Sequence, residues 1–153
     1  MKKPTKSQNR DNKKIAVKDP NKKGVECAKP KAVNLPKNVT VTLRPLFSSD
    51  NIEFSGRGVC ENGLISVRPG GKVEFTCNQG AFSVSLIPKT VSAGNPVIGF
   101  KNGCAPSGGV VPIKIPKYND HGHAHGVDTY EYSVMVMNGE QVCFVDPPLK
   151  IYY

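Results

Sequence analysis

Tryptophan is absent from this chain of 153 residues, and aromatic residues make up only 7% of it. Surfaces that stack sugars or single-stranded bases are built from exposed aromatic side chains, so this shortage argues against such a platform. No run of about 20 apolar residues occurs, and the chain therefore has no predicted membrane span. Nucleophile-elbow motifs, phosphate-binding loops and recognisably paired carboxylates are also missing, so no enzyme class is indicated.

Positive charge is concentrated at the N-terminus. Residues 1–32 hold 11 of the 21 lysines and arginines but 3 of the 12 acids, a net charge of +8, whereas 33–153 hold 10 basic and 9 acidic residues, a net charge of +1. The first segment has only Ile15–Val17 as an apolar cluster, which is too little to offset an ordering entropy of roughly 1–2 kcal/mol per residue. We therefore predict a disordered basic arm over 1–32 and one domain over 33–153.

The arm lacks the apolar core of a signal peptide. A cytoplasmic location and an exported one with the leader removed both stay open. Lysines act as point charges on phosphates, so the arm is predicted to attract a polyanion: nucleic acid without sequence preference, an anionic membrane surface, or an acidic protein. A merely solubilising leader is the alternative. The predicted polyanion-binding residues are Lys2, Lys3, Lys6, Arg10, Lys13, Lys14, Lys18, Lys22 and Lys23.

Short segments of alternating apolar and polar residues fill the domain from residue 38 onward. Turn sequences such as Pro69-Gly70-Gly71 and Asn78-Gln79-Gly80 separate them. Alternation with a period of two, bounded by glycine, proline and asparagine, is typical of half-buried strands. The pattern predicts an all-β fold, a two-sheet antiparallel sandwich or partly open barrel. Its expected inward anchors are Phe75, Phe82 and Tyr132.

The C-terminal third predicts a hairpin. Asn138-Gly139 separates two alternating runs, and both central residues of a type I′ turn need a positive φ. Asp146-Pro147-Pro148 is expected to break the second strand, and 149–153 is expected to form an edge strand.

Two stretches carry a resemblance to a known fold. Val67–Phe75 contains a Pro-Gly turn before a core strand, and Asp128–Val134, with Asp146-Pro147-Pro148, contains an Asp-x-Tyr-x-Tyr strand. In these stretches, about a third of the domain, the chain resembles the cupredoxin-like and immunoglobulin-like β-sandwiches of small bacterial proteins. That resemblance implies a Greek-key sandwich. Its copper site does not carry over, because no histidine or methionine follows Cys143.

Three histidines alternate in the sequence Asp120-His121-Gly122-His123-Ala124-His125. In an extended segment His121, His123 and His125 would lie on one side, and together with Asp120 they could bind Zn or Cu. Gly122 and Gly126 instead favour a solvated loop, so any Cu or Zn binding is expected to be weak. No other cofactor is predicted.

The five cysteines are spread singly, without a C-x-x-C pair, so paired zinc and redox motifs are absent. In an oxidising compartment four of them could form two bridges; in a reducing one they are buried small hydrophobes. The four candidates for bridges are Cys60, Cys77, Cys104 and Cys143, and Cys27 lies in the arm.

These observations favour a non-enzymatic binding or structural module whose arm adds electrostatic attachment to a protein or polyanionic partner. The alternatives are a periplasmic metal-handling domain that uses the segment His121–His125, and an enzyme, for which no motif argues. The oligomeric state stays open.

Deletion of residues 1–25 tests the boundary of the arm. Because the arm lacks core-forming residues, we expect the thermal midpoint of the shortened chain to stay nearly unchanged in a calorimetric melt. A loss of more than about 1.5 kcal/mol would instead show that the arm docks on the domain.

Overall fold

The computed structural model describes residues 34–98, 101–117 and 126–153, which form ten β-strands and no α-helix. The predicted arm lies outside these residues. The all-β prediction is confirmed for the described part of the chain. In chain order the strands are β1 (Asn38–Leu46), β2 (Asn51–Ser55), β3 (Ile65–Val67), β4 (Lys72–Cys77), β5 (Ala81–Thr90), β6 (Lys101–Ala105), β7 (Val110–Lys114), β8 (Val127–Asn138), β9 (Gln141–Val145) and β10 (Pro148–Tyr152).

The strands form two mixed sheets, which corrects the prediction of purely antiparallel pairing. One sheet has four strands in the order β2-β1-β4-β7, and the other has six in the order β3-β10-β8-β5-β6, with β9 also paired to β8. Strands β1 and β4 run parallel, and so do β3 and β10. Alternation of apolar and polar residues does not indicate the direction of a strand, and neither parallel pair is joined by a hairpin. The sequence pattern therefore carried no signal for parallel pairing.

One hydrophobic core unites the two sheets, because the inward residues of both belong to the same buried cluster. The predicted anchors Phe75, Phe82 and Tyr132 are all buried, which confirms that prediction. Phe75 of the four-stranded sheet and Tyr132 of the six-stranded sheet have ring centroids 5.2 Å apart. Phe54 of β2 meets the same tyrosine edge-on at 6.2 Å. Each such aromatic pair contributes about 0.5–1.5 kcal/mol beyond area burial.

The hairpin between β8 and β9 exists, but its turn differs from the predicted one. Asn138 pairs with Gln141, so the loop consists of Gly139 and Glu140. Gly139 has a φ of 61°, whereas neither Asn138 nor Glu140 has a positive φ. A glycine with positive φ at the first central position is the pattern of a type II′ turn. The type I′ prediction is therefore wrong, because it placed Asn138 inside the turn instead of at the end of the strand.

The final strand is not at an edge. Strand β10 lies between β8 and β3. Strands β9 and β10 also share one register on β8, since Val145 faces Val134 and Pro148 faces Glu131. Pro147 interrupts this partner strand because it has no N–H to donate, yet its carbonyl accepts a 3.0 Å bond from the Tyr132 amide. Asp146-Pro147 therefore breaks the strand only locally.

Replacement of Gly139 tests the turn. A Cβ at this position would meet no described atom within 4 Å, so any cost of a side chain comes from the backbone conformation. We expect Gly139→Val to lose about 1–3 kcal/mol in urea unfolding, because a β-branched residue resists positive φ. Glu140→Val is the matched control and should lose less, because Glu140 lies in the same loop without a positive φ. Equal stability of the Gly139→Val variant and the parent chain would contradict the assigned turn.

Candidate anion-binding cleft

A cleft of about 550 Å³ opens beside the start of β1, and three cationic side chains line it. These are Lys37, Arg57 and Arg68, all exposed to solvent, and the remaining lining residues are Asn34–Pro36 and Asn38. Among the described residues, no carboxylate lines this cleft. All charged side chains of the cleft are therefore positive, and two asparagines, Leu35 and Pro36 complete its lining.

Backbone hydrogen bonds bring the three cations together from separate parts of the chain. Lys37 precedes β1, Arg57 follows β2 and Arg68 follows β3. The Arg68 amide donates to the Pro36 carbonyl at 3.1 Å, and the Lys72 amide donates to the Lys37 carbonyl at 3.2 Å. The segment before β1 is thereby held against the end of β3 and the start of β4.

Two glycines allow this close approach. A Cβ at Gly71 would lie 1.6 Å from the Lys37 carbonyl oxygen, and one at Gly58 would lie 2.5 Å from Cγ of Pro36. Neither distance is compatible with a side chain, so glycine is required for the segment before β1 to reach its place.

The cations of the cleft are not neutralised by neighbouring acids. Within the described ranges, no ion pair involves Lys37, Arg57 or Arg68. Three other cations of the domain are paired with glutamates: Arg44–Glu53 at 3.2 Å, Lys72–Glu74 at 2.8 Å and Lys89–Glu131 at 3.0 Å. Both arginines without such a partner in the described domain thus line the same cleft.

A second cleft shows the contrast. It measures about 490 Å³ and contains Arg44 together with Glu53 and Glu61. One cation beside two carboxylates gives no attraction for an anion. Charge, and not concavity alone, therefore distinguishes the first cleft.

A tight turn anchors the β2–β3 connection that carries Arg57. The Gly63 amide donates to the Cys60 carbonyl, and the Cys60 amide donates to the Leu64 carbonyl, both at 2.9 Å. The Tyr132 hydroxyl donates to the Gly63 carbonyl. Burial raises the pKa of Tyr132 far above its usual range, so the hydroxyl keeps the proton that it donates. The turn is therefore fixed to the hydrophobic core.

The sequence left open whether four of the cysteines form two bridges or are buried as reduced thiols. Cys60 is disulfide-bonded, whereas Cys77, Cys104 and Cys143 are free thiols. Cys77 and Cys143 are buried in the core, whereas Cys104 is exposed on β6. Cys27 lies outside the described residues.

Burial also sets the chemistry of one core thiol. Desolvation raises the pKa of the Cys143 thiol, the negative charge of Asp50 raises it further, and hydrogen bonds with the backbone of Leu46 and Asn51 oppose this shift. Because the thiolate is the nucleophile, Cys143 is protected from reaction by its protonation as well as by its burial.

Most of the site residues predicted from sequence lie outside the part of the chain that the structure describes. The metal candidates Asp120, His121, His123 and His125 lie outside the described residues, as do the nine cations of the arm. In the described part of the chain, no group of three or more histidine, cysteine, aspartate or glutamate side chains is arranged to hold a metal ion. No helix there has the length and apolarity needed to cross a bilayer.

The sequence reasoning missed Lys37, Arg57 and Arg68. One signal was present, since the domain contains only three arginines and two of them flank the short segment Ile65–Val67. Their convergence with Lys37 depends on the close packing of two glycines against a distant segment, which no local pattern records.

No family model, no curated protein and no solved structure matches this chain.

Thiol labelling tests the placement of the cysteines. In the native protein we expect a maleimide to modify Cys104 rapidly, because it is exposed, and Cys77 and Cys143 only after denaturation. Cys60 should react only once a reductant is added. Peptide mapping by mass spectrometry identifies each modified residue. Rapid native labelling of Cys77 or Cys143 would contradict the described core.

Proposed function

We propose that this protein is a non-enzymatic binding module that captures an anionic polymer. The observation that carries the proposal is the cleft lined by Lys37, Arg57 and Arg68, which no described carboxylate neutralises. The two sheets are proposed to form a sandwich of the Greek-key, immunoglobulin-like or cupredoxin-like kind, which serves as the rigid support of this cleft.

The chemistry of the cleft favours phosphate or sulfate groups as the ligand. An arginine guanidinium presents a planar fork of N–H donors that matches two oxygens of such a group, while a lysine adds a point charge. Two arginines and one lysine can therefore contact adjacent anionic groups.

A polymer is favoured over a small anion because of where the cleft lies. Its lining begins at Asn34, directly after a segment of net charge +8. A chain of anionic groups could contact the cleft and the arm together, and the second contact would then act at high effective concentration. The disulfide at Cys60 favours an oxidising compartment as the location in which the protein binds this polymer.

Binding of polyphosphate at stepwise salt concentrations tests this function. Each lost phosphate contact reduces the magnitude of the slope of log K against log salt, by about 0.9 on duplex DNA and about 0.7 on a single strand. We expect the double variant Arg57→Gln, Arg68→Gln to bind more weakly and with a shallower slope, as measured by titration calorimetry.

Arg44→Gln is the matched control, because Arg44 is an exposed arginine already paired with Glu53. It should leave both affinity and slope nearly unchanged. Equal behaviour of the double variant and this control would contradict a role for the cleft. Parallel titrations with heparin and duplex DNA distinguish sulfate from phosphate polymers.

A further inference from the structure

The disulfide at Cys60 has a partner that the cysteine count identifies. The chain contains five cysteines. Cys60 is disulfide-bonded. Three others, Cys77, Cys104 and Cys143, are free thiols. Within one chain, Cys27, which lies outside the described residues, is therefore the only cysteine left to bond with Cys60.

The described backbone brings the segment before β1 close to Cys60. A Cβ at Gly58 would lie 2.5 Å from Cγ of Pro36, so this segment packs against the β2–β3 connection two residues before Cys60. Cys27 precedes Pro36 by nine residues, and an extended chain of that length spans up to about 30 Å. The two residues from Gly58 to Cys60 span about 7 Å at most. The chain that leads back to Cys27 is therefore long enough to reach Cys60.

Cys60 offers a fixed attachment point. Its amide donates to the Leu64 carbonyl and its carbonyl accepts from the Gly63 amide, both at 2.9 Å. The Tyr132 hydroxyl donates to the Gly63 carbonyl, which joins this turn to the core. Cys60 itself is half-buried, so it borders the surface along which a partner segment can approach. A bond at Cys60 therefore holds its partner against a rigid part of the domain.

We propose that Cys60 is bonded to Cys27 and that this bridge fastens the basic arm beside the anion-binding cleft. The consequence for binding rests on the proposed function, whereas the pairing of the two cysteines does not. The bridge forms when the two thiols lose two protons and two electrons to an oxidised dithiol carrier of an oxidising compartment, whose own disulfide is thereby reduced.

The bridge closes a loop that contains two of the three cations of the cleft, because Lys37 and Arg57 both lie between Cys27 and Cys60. The predicted polyanion-binding cations of the arm all precede Cys27, and Lys23 is four residues from it. Arg57 is three residues from Cys60. The bridge therefore joins the arm to Arg57 by a path much shorter than the chain between them. A shorter connection raises the effective concentration of the second contact for a polyanion that already touches the cleft.

Disulfide mapping of the full chain, produced in an oxidising compartment, tests the pairing. Free thiols are alkylated under denaturing conditions without reductant, and the digest is analysed by mass spectrometry. We expect one linked pair of peptides, which contains Cys27 and Cys60, and alkylation of the other three cysteines. Cys60 as a free thiol, linked to any other cysteine, or linked to a second copy of the chain would overturn the pairing.

Polyphosphate titration at fixed salt tests the role of the bridge in binding. We expect Cys27→Ser to bind at least about fivefold more weakly than the parent chain, because the arm loses its attachment beside the cleft. Reduction of the parent chain with dithiothreitol should weaken binding to the same extent and should leave Cys27→Ser unaffected. Cys104→Ser is the matched control: it removes an exposed free thiol, and it should match the parent chain in affinity and in its response to reductant.

The two proposals fail in different ways. Equal affinity of Cys27→Ser and Cys104→Ser would overturn the fastening role of the bridge and leave the cleft as the binding site. Absence of any polyphosphate binding by the parent chain would overturn the proposed function and the role of the bridge in it, whereas a mapped pairing would hold. The mapping uses the unaltered chain, so it decides the pairing even if Cys27→Ser fails to fold.

Discussion

The hydrogen bond from the Tyr132 hydroxyl to the Gly63 carbonyl ties the long β2–β3 connection to the centre of the six-stranded sheet. The same tyrosine contacts Phe54 and Phe75 of the other sheet, so one side chain joins both sheets and the connection between two of their strands. A Cβ at Gly63 would lie 2.7 Å from Cβ of Pro147 and 2.9 Å from Cε2 of Phe54, and only glycine allows the turn to come so close. Loss of such a buried bond leaves an unsatisfied carbonyl, a cost of about 1–3 kcal/mol.

The cleft depends on this anchor because its cations lie on connections, not on strands. Arg57 belongs to the connection that Tyr132 holds, and Arg68 follows β3, which the Ser66 amide joins to the Gly58 carbonyl of that connection. Lys37 reaches the cleft through the close approach of Gly71 to its carbonyl. If an anion binds here, as we propose, its binding energy would depend on the core. The core fixes the backbone, and the fixed backbone would spare the ligand the cost of gathering three cations.

Sequence alone predicted the strands well, because alternation over segments such as 72–77 and 130–136 records directly which side chains are buried. It predicted their partners less well. Val41 beside Phe75 and Val67 beside Ile151 are parallel contacts between distant segments, and the hydrophobic pattern is the same for either direction. The turn type at Gly139 was predicted wrongly for a related reason. An Asn-Gly pair indicates that a turn is present, but it does not show which of the two residues still belongs to the strand. The cleft could not be predicted from sequence. Charge counts locate the basic arm, but they do not show which arginines lack an acidic side chain beside them.

The pairing of β3 with β10 makes the order of synthesis matter. Among the described strands, β3 has only β10 as its neighbour in the sheet, and β10 is formed by 148–152. While a ribosome is still extending the chain, β1, β2 and β4 can already meet, yet β3 has no described strand to pair with until β10 emerges. In a nascent chain the support of the cleft would therefore be incomplete until 148–152 has left the ribosome, and a product cut short before residue 148 would lose that support while keeping most of the described strands.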